Sequence, residues 1–117
     1  MQLDERVVGN VAIVKVTGDI TLNKGGDVVL HDKVRSLIQQ GHKNLIVDLA
    51  GVSYIDSAGL GELVQAFSTT KNHGGALKLL NLTKRLRDLL IITKLATVFD
   101  SYDDEAKALA SFGAQQA

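Results

Sequence analysis

At 117 residues, 45% of them hydrophobic, the chain has the apolar content of a globular fold rather than a disordered one. Thirteen basic and thirteen acidic residues cancel, which removes the electrostatic footprint expected for direct nucleic-acid binding or an anionic membrane surface. Cysteine is absent, so disulfide and thiol chemistry are excluded; with no secretory leader pattern and no apolar run of membrane-spanning length, the expectation is one domain over residues 1–117 in the cytoplasm.

In chain order, Val7-Val8 and the run Val11-Ala12-Ile13-Val14-Lys15-Val16 flank Gly9-Asn10, a two-residue turn pair that predicts a β-hairpin. Gly25-Gly26-Asp27 precedes Leu30, Val34, Leu37 and Ile38, whose spacing places one apolar face on a helix, and Gly41 lies where a C-terminal glycine belongs. Leu45-Ile46-Val47-Asp48-Leu49 is nearly all apolar, the pattern of a strand covered on both faces. Leu60, Leu63, Val64 and Phe67 form the inward face of a second helix, which ends near Asn72-His73-Gly74-Gly75. Ala76 to Leu80 reads as the next strand, and Thr83 caps a helix with Leu86, Leu89 and Leu90 on its core side. Thr97-Val98-Phe99 reads as a short last strand. Ala106, Leu109, Ala110 and Phe112 give a terminal helix, with Asp103, Asp104 and Glu105 in its first turn. The order β-β-α-β-α-β-α-β-α predicts an α/β fold with parallel strands, right-handed crossovers and helices packed on the sheet.

The junction of the third strand and the second helix concentrates the chemistry. Asp56-Ser57-Ala58-Gly59 opens a helix, so the Ser57 hydroxyl lies at a positive helix end, where unpaired N–H groups stabilise an added phosphate. The glycines are expected to keep the surface around that hydroxyl flat. Asp and Ser are also ordinary N-cap residues, and in isolation a plain helix start is the readier account of the pair.

Rival chemistries lack parts. Gly59-Leu60-Gly61 has no third glycine, and no phosphate-loop lysine follows a strand, so neither nucleotide-binding fingerprint is met. A receiver domain with Asp48 as phosphoacceptor needs a divalent cation held by an acidic pair, yet only Asp19 follows the second strand; Asp48 reads instead as a buried strand acid hydrogen-bonded near a loop. Asp27 and His31 share a helix face at metal-ligand spacing but have no third ligand. Ser53, Ser57 and His73 form no nucleophile elbow. Lys84, Arg85 and Arg87 make a basic cluster, opposed by an acidic one at Asp100, Asp103, Asp104 and Glu105. No catalytic residues, metal or cofactor are expected.

Asp56-Ser57-Ala58-Gly59-Leu60-Gly61 resembles the D-S-[SA]-G-[LI]-G signature of STAS domains, and among them of the anti-sigma factor antagonists. The likeness runs from Val7 to Phe112 and includes Gly18-Asp19-Ile20 and Gly74-Gly75-Ala76-Leu77. It implies the STAS fold, a central mixed sheet with an N-terminal β-hairpin and helices packed on it. It also implies a partner switch. The unphosphorylated protein binds an anti-sigma factor, usually also a serine kinase of the GHKL ATPase type, and frees a sigma factor; phosphorylation ends the contact and a serine phosphatase restores it. By the same resemblance Ser57 is the phosphoacceptor, Asp56, Ala58, Gly59 and Leu60 are its contact neighbourhood, and Asp19, Thr21 and Asn23 line the same rim. The alternative within the family is an accessory subunit of a transport or stress-signalling complex, in which Ser57 only caps its helix. The segment 22–30 departs from the family by being longer and richer in glycine.

Overall fold

The computed structural model describes residues 2–21 and 29–112. Strand β1 (Gln2–Val8) pairs antiparallel with β2 (Val11–Thr17) through the tight turn at Gly9-Asn10, where Gly9 takes the positive φ of 62° that the hairpin requires. Helix α1 (Val29–Gln39) leads to β3 (Asn44–Gly51), α2 (Ser57–Asn72) to β4 (Ala76–Leu80), and α3 (Lys84–Ile92) to β5 (Ser101–Tyr102), before α4 (Glu105–Ala110) closes the order. The sheet runs β1-β2-β3-β4-β5, with β2 to β5 parallel, so it is mixed as expected.

Alternation divides the sheet into two faces. Val14, Val47 and Leu79 face one side, where Leu30, Val34 and Leu37 of α1, Leu63 and Ala66 of α2, and Leu86 and Leu90 of α3 bury them. Val11, Ile13, Ile46 and Leu80 face the other, covered by Ala108 and Phe112 from the α4 end of the chain. Lys78 also emerges on that face. Its ammonium lies 4.5 Å from the Phe112 ring centroid and 5.8 Å from that of Tyr102, and donates to Ser111 Oγ at 2.9 Å, so a lysine completes the aromatic cover. Arg6 of β1 pairs with Glu105 of α4, and Glu5 with Lys33 of α1, so the hairpin is tied to a helix on each face. The Glu105 carboxylate pushes the Arg6 guanidinium above its ordinary pKa, first by the hydrogen bond and then by charge.

Two expectations shift. The last strand is Ser101–Tyr102, not Thr97 to Phe99: the latter lie in a turn closed by Val98 N–H donating to Leu95 C=O, and Phe99 points inward to meet Phe67 edge-on with centroids 5.2 Å apart. A buried aromatic anchoring a turn carries the same apolar signal as a short strand. In α4, Ala106 and Ala110 are exposed, and Ala108, Leu109 and Phe112 face the sheet. Asp48 lies where the sequence put it, buried in β3, accepting from Ala50 N–H at 3.0 Å and from Asn81 Nδ2 at 3.3 Å.

The Gly75 backbone lies so close to β3 that a Cβ would collide with the Lys43 carbonyl oxygen, which accepts from Ala76 N–H at 2.9 Å. Gly61, inside α2, has open space where its Cβ would be. Gly61→Ala is therefore expected to stabilise the fold by about 0.5–1 kcal/mol and Gly75→Ala to destabilise it by about 1–3 kcal/mol, as read from urea unfolding midpoints.

Candidate functional site

The site lies beyond the C-terminal ends of β2 and β3, where open parallel sheets present their functional loops. Two loops are laced together there. Gly18 N–H donates to Gly51 C=O at 3.0 Å, Ile20 N–H to Tyr54 C=O at 3.0 Å, and Asp56 N–H back to Ile20 C=O at 3.2 Å. Ile20 and Ile55 form an isolated parallel bridge, and Ser53 Oγ donates to Asp19 Oδ1 at 2.9 Å. The Ile20 side chain is fully buried, so this lacing is anchored in the core.

Helix α2 starts from that platform. Asp56 is its N-cap, with extended backbone at φ −93° and ψ −179°, and its carboxylate accepts from Gly59 N–H at 2.8 Å. Ser57 is the first helical residue and is exposed. Its hydroxyl is thereby spared from capping while remaining in the positive field of the helix start.

The other expected site residues fall into different environments. Asp19 and Ala58 are half-buried, whereas Thr21 is only 8% exposed and has little surface to offer a partner. Gly59 is buried, and a Cβ there would run into the carbonyl of Ile20. Gly59 therefore does not flatten an exposed surface around Ser57; it lets α2 seat on the Ile20 backbone. Leu60 turns its buried side chain toward a groove, and Asn23 lies outside the described residues.

That groove, about 760 Å³ in volume, runs beside Ser57. Tyr54, Ile55, Asp56, Ser57 and Leu60 line it from the α2 side, and Lys84, Arg85, Asp88, Leu89, Ile92 and Thr93 from α3. Ile92 is 77% exposed and Tyr54 46%, so large apolar groups stand in solvent next to the serine. The sequence patterning placed α2 and α3 on the sheet but gave no sign that a groove would open between them.

A half-buried polar cluster was also not anticipated. Glu62 is buried on α2, accepts from the backbone N–H of His31 at 3.1 Å, and lies 3.5 Å from His31 Nδ1; His31 Nε2 is 3.0 Å from Thr69 Oγ1. It joins α1 to α2. His31 is thus held in a structural contact, while Asp27, its suggested metal partner, lies outside the described residues. Among the described residues no group of three or more His, Cys, Asp or Glu side chains could hold a metal, and no helix is long and apolar enough to cross a membrane. The signal for the cluster was Glu62 itself, an acid one residue from Leu63 in the inward stripe.

The chain belongs to the STAS domain family, whose sequence model matches residues 2–108. Within that family it belongs with the anti-sigma factor antagonists: it is 40% identical over 97 residues to the anti-sigma-B factor antagonist of Bacillus subtilis (strain 168), covering 78% of this chain and 88% of that protein. A crystal structure of a Thermotoga maritima protein superposes with a TM-score of 0.85 at 20% identity, over 93% of this chain and 92% of the other. The anti-sigma factor antagonist SpoIIAA in its unphosphorylated form gives a TM-score of 0.69 at 20% identity over 94% of each chain. At those identities the superpositions establish the fold.

Loss of the Asp56 carboxylate strands an N–H at the start of α2, whereas loss of the Ser57 hydroxyl strands nothing. Asp56→Ala is expected to cost about 1 kcal/mol in chemical unfolding and Ser57→Ala less than about 0.5 kcal/mol.

Proposed function

We propose that this protein is a phosphorylation-switched anti-sigma factor antagonist acting in the cytoplasm as a single STAS domain over residues 1–117. With Ser57 unmodified it binds an anti-sigma factor that is also a serine kinase of the GHKL type, and a sigma factor is released. The kinase transfers phosphate from ATP: the Ser57 Oγ–P bond forms as the β–γ bridge breaks, ADP leaves, and the hydroxyl proton passes to a base on the kinase. A serine phosphatase reverses the modification by hydrolysis. The relationship to an anti-sigma-B factor antagonist supports this class of partner.

The observation that carries the reading is the division of labour between Asp56 and Ser57. Had Ser57 been the cap, its hydroxyl would have been engaged with the helix backbone, as the accessory-subunit alternative supposed. Asp56 fills that role, and Ser57 is left exposed beside an apolar groove. Partner contact would centre on Ser57, Ala58, Leu60 and the groove, with Asp19 at the rim. Gly59 and Thr21 lie beneath that surface, while Asp56 caps α2 and lines the groove.

A phosphate in that contact adds bulk and forces a near-dianion out of water. A penalty of about 2–4 kcal/mol weakens binding by about 30- to 1000-fold, enough for a switch. Ser57→Ala is expected to bind the kinase partner as wild type does, and Ser57→Asp more weakly, though less so than the phosphoprotein because it carries a single charge. Titration calorimetry reads this directly; equal affinities for wild type and Ser57→Asp would place the contact elsewhere. The same Ser57→Asp protein is expected to melt within a few degrees of wild type, since a negative charge at the start of α2 is neutral or favourable. A much larger fall in midpoint would show that the position is not tolerant of charge.

A further inference from the structure

The basic cluster on α3 is divided by the groove. Lys84 and Arg85 line the same wall-to-wall space as Ser57, and Arg87 does not. The first turn of α3 contains no acidic residue, so these cations stand at the positive end of the helix, an unfavourable placement offset within α3 only by the exposed i,i+4 pair of Lys84 with Asp88. Asp56 and Asp88 share the groove. Asp56 is already engaged by Gly59 N–H, and Lys84 reaches Asp88 only at 3.9 Å, from a side chain that is 93% exposed. Among the described residues the Arg85 side chain has no hydrogen-bond or ion-pair partner. The groove therefore holds an unmatched guanidinium across from the hydroxyl that is proposed to accept phosphate.

We propose that Arg85, assisted by Lys84, receives the phosphate carried on Ser57, so that modification fills the groove from within the chain as well as placing charge at its rim. The inference rests on Ser57 as phosphoacceptor. A guanidinium matches a phosphate with paired donors, and its stem lies along apolar surface while its head is engaged. Drawn toward Ser57, the Arg85 and Lys84 stems cover Leu60 and Leu89, the apolar floor a partner would use. The switch then closes its own docking surface. Charge on the groove is balanced before modification, with Lys84 and Arg85 against Asp56 and Asp88, and tips negative only when the phosphate arrives.

The test uses the full chain with phosphoserine genetically encoded at position 57, which requires no kinase. The second ionisation of the phosphate, near pH 6 for an isolated group, is followed by 31P NMR. A nearby cation favours the dianion and lowers that value; Asp56 and Asp88 oppose it, and the start of α2 acts equally in all variants. The wild-type chain is expected to titrate at least about half a unit below the Lys84→Ala/Arg85→Ala double variant. Arg85→Lys is expected to fall between them, and Arg87→Ala to coincide with wild type. Alanine favours a helix and all three positions are exposed, so the variants fold. Coincident titrations of wild type and the double variant would overturn the proposal, as would an Arg87→Ala shift equal to that of the double variant. Those outcomes leave Ser57 phosphorylation by a kinase untouched, because labelling of the unmodified chain tests that separately.

Discussion

The backbone of Ile20 is the point on which the start of α2, and with it the placement of Ser57, depends. Its N–H and C=O are both spent on the loop leading into α2, donating to Tyr54 and accepting from Asp56, while its side chain is sunk in the core. Gly59 then seats the first turn of α2 against the same carbonyl. Three constraints converge on one peptide unit: the path of the loop, the position of the cap and the approach of the helix. Ser57 is exposed on a rigid base because those constraints act one residue before it and two residues after it. A serine on a loose loop would face solvent too, but without a fixed direction.

This arrangement also explains the unequal cover of the sheet. Three helices bury one face, and the loops at that end carry the groove and the serine. The opposite face is covered at one end by the α4 region, where Lys78 spans Phe112 and Tyr102 and reaches Ser111. A short helix contributes little cover of its own, and the lysine stem with its two rings supplies what aliphatic side chains supply on the other face.

What could be read from the sequence was what periodicity and capping chemistry encode. The element order emerged from apolar spacing, and Thr83 was identified as a cap, which it is, accepting from Leu86 N–H at 3.3 Å. The motif around Ser57 pointed to a helix start, which the structure has there, but spacing alone left open whether Asp56 or Ser57 was the cap. Hydrogen-bond geometry assigns it to Asp56. Gly59 was misread because a glycine that permits close approach and one that clears a surface look identical in a one-dimensional string; only the Ile20 carbonyl distinguishes them. Thr97 to Phe99 failed for a related reason, since a buried aromatic in a turn and a short strand have the same apolar signal. Glu62 and His31 pair across thirty-one residues, and the groove lies between helices separated in sequence by a strand; neither has a local signature.

Both open edges of the sheet are poor templates for another strand. One edge, β1, carries Asp4, Glu5 and Arg6 in succession, with Glu5 and Arg6 fastened to helices on opposite faces. The other edge, β5, is two residues long. Charge and brevity are two of the means by which natural sheets discourage edge pairing. Neither edge of the sheet therefore offers a copy of this chain a long, uncharged run of backbone to pair with.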